Sequence, residues 1–292
     1  METPRNRNDG WLDALLQLTK ARITLAVTGS TATGWILFAQ TVSLPILYPI
    51  VGVFLLACGC AALNEVQEAR LDAKMARTAG RPIPAGRIDP LAALFFAVTF
   101  ILLGFYFLAS IDRHLPAVLL LGLLAVVWYN GVYTYLKRRT PFAVLPGALV
   151  GAIPPIIGWA AAGGLPSDPA ILLVACFFFI WQVPHFWLLM LMRADEYARA
   201  GLPTPATVFA PRQLSRITFI WILATAAAGL VLTLLIRLSL PWNVLTFAAS
   251  IWLALQAVRI LRTTQPPDRR AFAQLIAYAA MVMLFLCLNA LT

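Results

Sequence analysis

Three oxygen-bearing side chains, Asn64, Glu68 and Asp72, recur at four-residue intervals where the second apolar segment of the chain ends. In a helix this spacing places all three on one face. Amide and carboxylate oxygens suit a hard divalent cation that bridges to phosphate groups, so the stripe predicts a Mg²⁺ site. Like charges at this spacing destabilise an isolated helix, and the stripe therefore needs a compensating partner. A solvated helix end with ordinary anchoring charges is the alternative interpretation.

Basic residues run through the same segment. We expect Arg70, Lys74 and Arg77 on the opposite side of this helix, with Arg81 just beyond its end.

The fourth apolar segment ends in a stretch rich in tyrosine and basic residues. Tyr133 and Lys137 are i, i+4 neighbours that can donate jointly to one phosphate oxygen, and Arg138 follows them. The alternative is an interfacial belt, in which Tyr, Lys and Arg side chains reach from the bilayer towards the lipid headgroups. The spacing leaves both interpretations open.

A second acidic pair follows the sixth apolar segment. Asp195 and Glu196 stand between Arg193 and Arg199. Two acidic clusters that face each other across a membrane cavity, each flanked by arginine, indicate Mg²⁺-assisted handling of a diphosphate. The apolar part of the cavity would then hold a hydrophobic substrate tail.

His185 lies inside the sixth apolar segment, between Pro184 and the aromatic pair Phe186 and Trp187. Ionisable residues within a membrane span are candidates for function. The neighbouring aromatic faces could stabilise a carbocation. A packing histidine within an aromatic belt is the alternative.

The composition determines the elements that position these residues. Hydrophobic residues make up 61% of the 292-residue chain and charged residues 12%, about half the charged share of a soluble domain. This composition excludes a soluble enzyme, and the missing strand alternation excludes an outer-membrane barrel. We predict an all-α integral membrane protein, a bundle of nine transmembrane helices around a cavity open to the cytoplasmic side. The nine helices are expected at residues 21–40, 43–63, 91–110, 115–136, 141–163, 169–192, 214–236, 241–261 and 271–291.

The basic residues indicate the orientation of this bundle. Twenty of the 22 Lys and Arg residues fall in the N-terminal arm and in every second connection, which leaves Arg113 and Arg237 on the opposite face. This distribution predicts a cytoplasmic N-terminus and an external C-terminus in the inner membrane. Anionic lipid explains the net charge of +10, so no nucleic-acid partner is expected. Residues 1–292 are predicted to form one polytopic domain, with a cytoplasmic arm at 1–20.

Three blocks of the sequence resemble the intramembrane aromatic prenyltransferase superfamily, which contains the ubiquinone-pathway prenyltransferases. The resemblance covers about residues 15–290, and within the superfamily it is greatest to the haem O synthase (protohaem IX farnesyltransferase) family. The block at 64–82 is shared across the superfamily. The block at 137–159, with its Gly-Ala-Ile-Pro-Pro run, and the block at 181–201 look particular to the haem-modifying branch.

Three features depart from the superfamily pattern. Aspartate is usual where Glu68 stands, and a glutamate keeps the metal-ligand chemistry with a longer reach. Acidic character is also usual where Arg70 stands, so one ligand is lost there. The second acidic motif is shortened to Asp195 and Glu196 with Arg199, a form similar to the haem branch.

The resemblance implies an enzyme that transfers the farnesyl group of farnesyl diphosphate to the vinyl group of haem b, giving haem O. Mg²⁺ is the implied cofactor, and haem b is a substrate. The haem vinyl attacks the allylic cation, and water captures the cation left beside the ring. The implied partners are farnesyl diphosphate, haem b, membrane lipid and proteins of the terminal-oxidase haem A/O pathway. The implied catalytic residues are Asn64, Glu68, Asp72, Tyr133 and Lys137; the metal ligands are Asn64, Glu68, Asp72, Asp195 and Glu196; and the substrate-binding residues are Arg77, Arg81, Arg138, His185, Trp187 and Arg199.

Two other functions compete with this one. A sister prenyltransferase acting on a quinone precursor or another aromatic acceptor shares the diphosphate machinery and differs in the acceptor pocket, where the sequence from Pro184 to Trp187 favours haem. A transporter would place charged residues near the bilayer midplane and often contain an inverted repeat, whereas the acids here collect at one face.

Overall fold

The computed structural model describes residues 10–111, 113–261 and 269–292, and the regular elements within them are helices. A π-helical segment, Val127–Tyr133, joins the helix Leu115–Val126 to the short helix Thr134–Leu136, so that Leu115–Leu136 is one continuous span. The start of the predicted N-terminal arm, Asp112 and the loop residues 262–268 lie outside the described residues. The helices are α1 Trp11–Leu18, α2 Ala21–Ala39, α3 Leu47–Asp72, α4 Pro90–Ala109, α5 Leu115–Val126, α6 Thr134–Leu136, α7 Val144–Ala162, α8 Pro169–Leu191, α9 Ala194–Arg199, α10 Pro211–Leu235, α11 Leu240–Leu261 and α12 Arg269–Leu291.

A helix lies at each of the nine predicted segments, which confirms a multi-pass membrane protein. Eight helices of the described chain are long and apolar enough to cross a bilayer. The ninth, α2, has 19 residues but carries several buried hydroxyl side chains. Thr24, Thr28 and Ser30 each donate to a carbonyl oxygen one turn earlier in the helix. These polar groups are satisfied inside the bundle, which explains how a less apolar helix occupies a predicted span.

Close contact with α7 holds α2 inside the bundle. A Cβ on Gly34 would overlap the carbonyl oxygen of Pro155, and a Cβ on Gly158 would overlap that of Thr31. The two glycines therefore allow the backbones to approach, as small residues do in membrane helix pairs. A larger apolar core lies on the other side of the bundle, between α8, α10, α11 and α12.

α3 departs most from its predicted boundaries. The helix continues beyond the expected end at residue 63 and stops at Asp72, so that Asn64 and Glu68 lie within it. These polar residues are buried, because the rest of the bundle and the turns that follow α3 cover them. The fall in hydropathy at Asn64 therefore marks a change in the helix's surroundings rather than its end.

The described part of the N-terminal arm is also helical. Residues Ala14 and Leu18 of α1 are buried in a small core with Ile83, Ile88 and Ala93. α1 thus packs against the turns after α3 and the start of α4. This contact anchors the arm beside the polar end of α3.

The described part of the N-terminal arm meets the connections after α3, α6 and α8, all predicted to be cytoplasmic, at one end of the bundle. One ion pair joins the N-terminal arm to the turns after α3. A second joins the end of α3 to the loop after α6, and a third joins the turns after α3 to the loop after α8. This arrangement agrees with the expected alternation of the spans, and the side of the membrane that this end faces remains a prediction. The pairs are Arg87–Asp13 at 3.5 Å, Lys137–Glu68 at 2.6 Å and Arg77–Glu196 at 3.8 Å.

Reporter fusions test the orientation. We expect fusions after Arg139 and Arg212 to report a cytoplasmic location and fusions near Asp168 and Arg237 an external one, because loops rich in Lys and Arg stay on the cytoplasmic side. Each position is fused in turn to a fluorescent protein and to alkaline phosphatase, which are active on opposite sides. A cytoplasmic C-terminus would contradict the nine-span topology.

Candidate active site

A cavity of about 350 Å³ lies between α2, α3, α7 and α8, at the end of the bundle where the charged loops meet. Its volume falls within the usual range for small-molecule sites. Further from the loops its wall is apolar and includes Val53, Leu56 and Ile157. The cavity therefore suits a molecule with an anionic head and a long apolar tail. The charged residues that line it are Lys20, Glu68, Asp72, Arg77, Arg81 and Lys137.

The acidic stripe of α3 forms one wall of this cavity. Asn64, Glu68 and Asp72 all line it, and they are only 2%, 4% and 2% exposed. Lys137 Nζ lies 2.6 Å from Glu68 Oε2, and Arg81 Nη1 lies 2.6 Å from Asp72 Oδ2. These cations are the compensating partners that a stripe of like charges requires. The burial and the pairing argue against a solvated helix end.

The structure corrects the position expected for Arg77. It lies in the turns after α3 rather than on the opposite side of the helix, and these turns fold back so that Arg77 and Arg81 both line the cavity. Thr78 stabilises the reversal, because its buried Oγ1 donates to the Asp72 carbonyl oxygen at 2.8 Å. Arg81 consequently reaches Asp72 and also lies 3.9 Å from Glu65. The helical extrapolation was wrong because the helix ends at Asp72.

Lys20 is a cavity residue that the sequence analysis missed. Its Nζ donates to Asn64 Oδ1 at 3.2 Å, and Asn64 Nδ2 donates to Thr134 Oγ1 at 3.1 Å. Burial lowers the pKa of the Lys20 ammonium to about 8, and repulsion from Arg81 and Lys137 acts in the same direction. Cations outnumber carboxylates along the wall, so a bound anion would relieve this repulsion.

The second acidic pair contributes one member to this end of the bundle. Glu196 lies 3.8 Å from Arg77 Nε and 3.0 Å from Arg193 Nη1, which ties the loop after α8 to the turns after α3. Asp195 is exposed, and neither Asp195 nor Arg199 belongs to the cavity lining. The two acidic clusters are thus linked through Arg77 rather than brought into direct contact.

Two predicted substrate-binding residues lie beside the cavity instead of lining it. Arg138 Nη2 lies 3.9 Å from Glu68 Oε1 and donates to the Gln67 carbonyl oxygen. It therefore contacts α3 outside the cavity. Trp187 is buried and packs in a small apolar cluster with Phe209. Their roles towards a substrate remain predictions.

Three of the aromatic rings that line the cavity stack on one another next to the charged residues. Tyr133 lies between Tyr129 and Phe186 in a stack, with centroid distances of 5.9 and 5.8 Å and interplanar angles of 28° and 26°. Lys137 Nζ lies 5.7 Å from the centroid of the Tyr133 ring. These positions favour a role in the cavity over an interfacial belt. Stacked π faces beside a diphosphate site can stabilise a carbocation.

His185 lies on α8 beside the cavity wall and is not among its lining residues. Its ring centroid is 4.8 Å from that of Trp181 and 4.7 Å from that of Phe272. The Nδ1 atom is buried and has no hydrogen-bond partner within the described chain. The carbonyl contact expected of a packing histidine is therefore missing at Nδ1, and a role in binding haem stays a prediction.

The residues of the stripe fit a Mg²⁺ ion that arrives with its substrate. Within the described ranges, no group of three or more His, Cys, Asp and Glu side chains is arranged to hold a metal. The stripe instead supplies the amide of Asn64 and the carboxylates of Glu68 and Asp72, and Glu68 Oε1 is buried without a hydrogen-bond partner. Mg²⁺ usually binds one or two carboxylates and completes its shell with water and substrate phosphates.

The model of the UbiA prenyltransferase family matches residues 25–287. The chain belongs to the UbiA prenyltransferase family. One curated relative of this UbiA-family chain, the protoheme IX farnesyltransferase of Nitratidesulfovibrio vulgaris, is 40% identical over 213 residues, which are 73% of this chain and 74% of the relative. The protoheme IX farnesyltransferase of Geobacter sulfurreducens is 43% identical over 188 residues, 64% and 68% of the two chains. The chain is therefore a membrane prenyltransferase of this family.

A solved structure of a UbiA homologue from Archaeoglobus fulgidus, bound to GPP and Mg²⁺, has the same fold. Its TM-score with this chain is 0.68, at 13% sequence identity, over 95% of this chain and 99% of that chain. At this identity the likeness establishes the fold alone. It confirms the predicted all-α membrane bundle of the UbiA family.

Proposed function

We propose that this UbiA-family enzyme transfers the farnesyl group of farnesyl diphosphate to a vinyl group of haem b, giving haem O. The observation that carries the proposal is the 40% identity with a protoheme IX farnesyltransferase over 73% of the chain. The cavity supports it independently, because a charged end adjoins an apolar wall. Farnesyl diphosphate has the matching shape, an anionic head on a long apolar tail.

The charged residues bind the diphosphate and stabilise it as it leaves. A Mg²⁺ ion bound by Asn64, Glu68 and Asp72 would supply Lewis acid chemistry at the diphosphate oxygens. Arg81 and Lys137 each lie 2.6 Å from a carboxylate of this set, and they donate to the same substrate oxygens. Because the protein already holds these donors in place, charge that develops on the leaving group meets a preorganised site.

The loop after α8 is proposed to complete the diphosphate site. Tyr197 lines the cavity, and the pair between Arg77 and Glu196 holds this loop beside it. Glu196 is thus the nearer of the two additional metal ligands that the family resemblance implies. Asp195 is exposed, and its ligand role requires the side chain to turn inward when substrate binds.

The aromatic stack protects the allylic cation. Tyr129, Tyr133 and Phe186 present a continuous wall of rings beside the charged residues. Their faces attract a cation, and they keep water from capturing it before the acceptor attacks. The three aromatic rings therefore assist departure of the diphosphate and delay capture of the allylic cation by water.

Replacement of His185 tests the proposed binding of haem, the prenyl acceptor. We expect His185→Ala to weaken haem binding while it leaves farnesyl diphosphate binding nearly unchanged, because a neutral imidazole can ligate iron or hydrogen-bond a propionate, and its Nδ1 atom has no hydrogen-bond partner within the described chain. Haem titration by absorbance and diphosphate affinity are measured on the same purified variant. Equal loss of both would indicate general misfolding, and loss of neither would assign His185 to packing.

Acceptor competition tests the proposed function against its nearest alternative. The purified enzyme is incubated with farnesyl diphosphate, Mg²⁺ and either haem b or 4-hydroxybenzoate. We expect a prenylated product in the incubation with haem b and none in the incubation with 4-hydroxybenzoate. Product with 4-hydroxybenzoate alone would replace the proposal with a sister prenyltransferase of the quinone pathway.

We also propose the cellular setting. The distribution of basic residues supports an enzyme of the inner membrane with a cytoplasmic N-terminus, an external C-terminus and anionic lipid at its charged end. Farnesyl diphosphate would enter from the cytoplasmic side, and haem O would pass to proteins of the terminal-oxidase pathway.

A further inference from the structure

We infer that Gln182 holds the water molecule that adds to the acceptor after prenyl transfer, an inference that rests on the proposed function. Gln182 lies on α8 and lines the cavity. Its Oε1 atom is buried and has no hydrogen-bond partner among the described residues. Within the described chain, Glu68 is the other lining residue with such an atom, and its second oxygen is paired with Lys137. Gln182 is thus the neutral lining side chain whose buried polar atom lacks a partner.

Gln182 lies one helical turn beyond the aromatic stack. Phe186, four residues later on α8, stacks on Tyr133 at 5.8 Å. On the facing helix α7, Gly147 leaves room for the Tyr133 ring, and Gly151 leaves room for the Gln182 carboxamide, with which a Cβ would overlap. Because α8 ends at the charged loops, Gln182 lies on the side of the rings away from those loops.

The proposed reaction needs one water molecule in this region. The bond between farnesyl C1 and the diphosphate oxygen breaks, and its electron pair leaves with the diphosphate. The vinyl π electrons form the new bond between the terminal vinyl carbon and C1, which leaves a cation on the vinyl carbon next to the ring. The oxygen of water adds to that cation, and the surplus proton passes to the released diphosphate. Without a water in place, the cation instead loses a proton from the adjacent carbon and gives an alkene.

A carboxamide is suited to this task. Oε1 lies against Gly151, and a half-turn of the carboxamide about its last torsion exchanges it with the amide nitrogen. The oxygen then accepts a hydrogen bond from a water in the cavity and directs an oxygen lone pair of that water towards the cation. Unlike a carboxylate, the carboxamide carries no charge that would trap the cation. Val150 and Pro154 line the cavity nearby on α7 and make this part of the wall apolar. Water that is not held by Gln182 is therefore disfavoured there.

The ratio of two products tests the inference. The purified enzyme is incubated with farnesyl diphosphate, haem b and Mg²⁺, and mass spectrometry quantifies the prenylated alcohol and the prenylated alkene, which is lighter by one water. We expect Gln182→Leu to raise the ratio of alkene to alcohol by about fivefold, the effect of one hydrogen bond. Gln182→Asn keeps the carboxamide and is expected to restore part of the alcohol.

Gln256 provides a matched control. It lies on α11, away from the cavity lining, and its Oε1 atom is also buried without a partner in the part of the chain that the structure describes. Gln256→Leu is expected to leave the product ratio unchanged. An unchanged ratio in Gln182→Leu would overturn the inference, and so would an equal rise in both leucine variants. If Gln182→Leu does not fold, Gln182→Met, which has a similar length and no carboxamide, decides by the same comparison. Absence of every prenylated haem from the unmodified enzyme would contradict the proposed function itself.

Discussion

Replacing Asp72 with asparagine is expected to lower the rate of farnesyl transfer by at least about tenfold, and Glu68→Gln is expected to do the same. Each change removes one of the two carboxylates that line the cavity and keeps the size of the side chain. With one carboxylate fewer, Mg²⁺ binds more weakly, so the Mg²⁺ concentration for half-maximal activity should rise. The measurement is kcat/KM for farnesyl diphosphate over a Mg²⁺ series on purified, folded variants.

Glu65 supplies the matched control for this experiment. It lies on the same helix, is 1% exposed and lies 3.9 Å from Arg81, but it does not line the cavity. Glu65→Gln is therefore expected to lower thermal stability and to leave the Mg²⁺ requirement unchanged. Near-normal turnover of both lining variants, together with activity that survives a chelator, would contradict the Mg²⁺ assignment.

Replacing Lys137 with methionine is expected to reduce kcat/KM for farnesyl diphosphate by at least about tenfold, because a desolvated donor to the diphosphate is lost. The change also leaves Glu68 without the cation that lies 2.6 Å from it. Lys137→Arg keeps the charge and should recover part of the activity. The measurements are steady-state kinetics, diphosphate binding and the unfolding temperature of each variant.

Arg138 is a control that distinguishes a role of Lys137 inside the cavity from a general effect of positive charge near Glu68. It lies 3.9 Å from the same glutamate but outside the cavity lining. We expect Arg138→Met to lower kcat/KM by less than about threefold, as for an exposed ion pair. Equal losses in the two methionine variants would show that the cavity position of Lys137 has no special role.

The membrane architecture could be predicted because lipid requires about 20 apolar residues for each span. The helix bounds agree to within two residues for α8 and α12. They disagree at α3, where polar residues continue the helix because other parts of the protein cover them. Hydropathy records the residue types, and it does not record which polar residues the fold will bury.

The candidate site could be predicted in part for the same reason. The stripe of Asn64, Glu68 and Asp72 follows from helical periodicity, so its common face is correct. Lys20 and Arg81 reach that face through contacts between distant segments and through the turns after α3, which the spacing of residues does not determine. The stripe is local to one helix, whereas its partners come from three other parts of the chain: the residue before α2, the turns after α3 and the segment around α6.

Pigment analysis by mass spectrometry tests directly whether the enzyme converts haem b to haem O in cells. The chain is expressed in cells that make haem b and no other haem, and the extracted haems are compared with those of cells that carry Asp72→Asn. We expect a new pigment with the mass of haem O in the first cells and a strongly reduced amount in the second. A haem pool that remains haem b alone, with the protein folded and inserted in the membrane, would contradict this conversion.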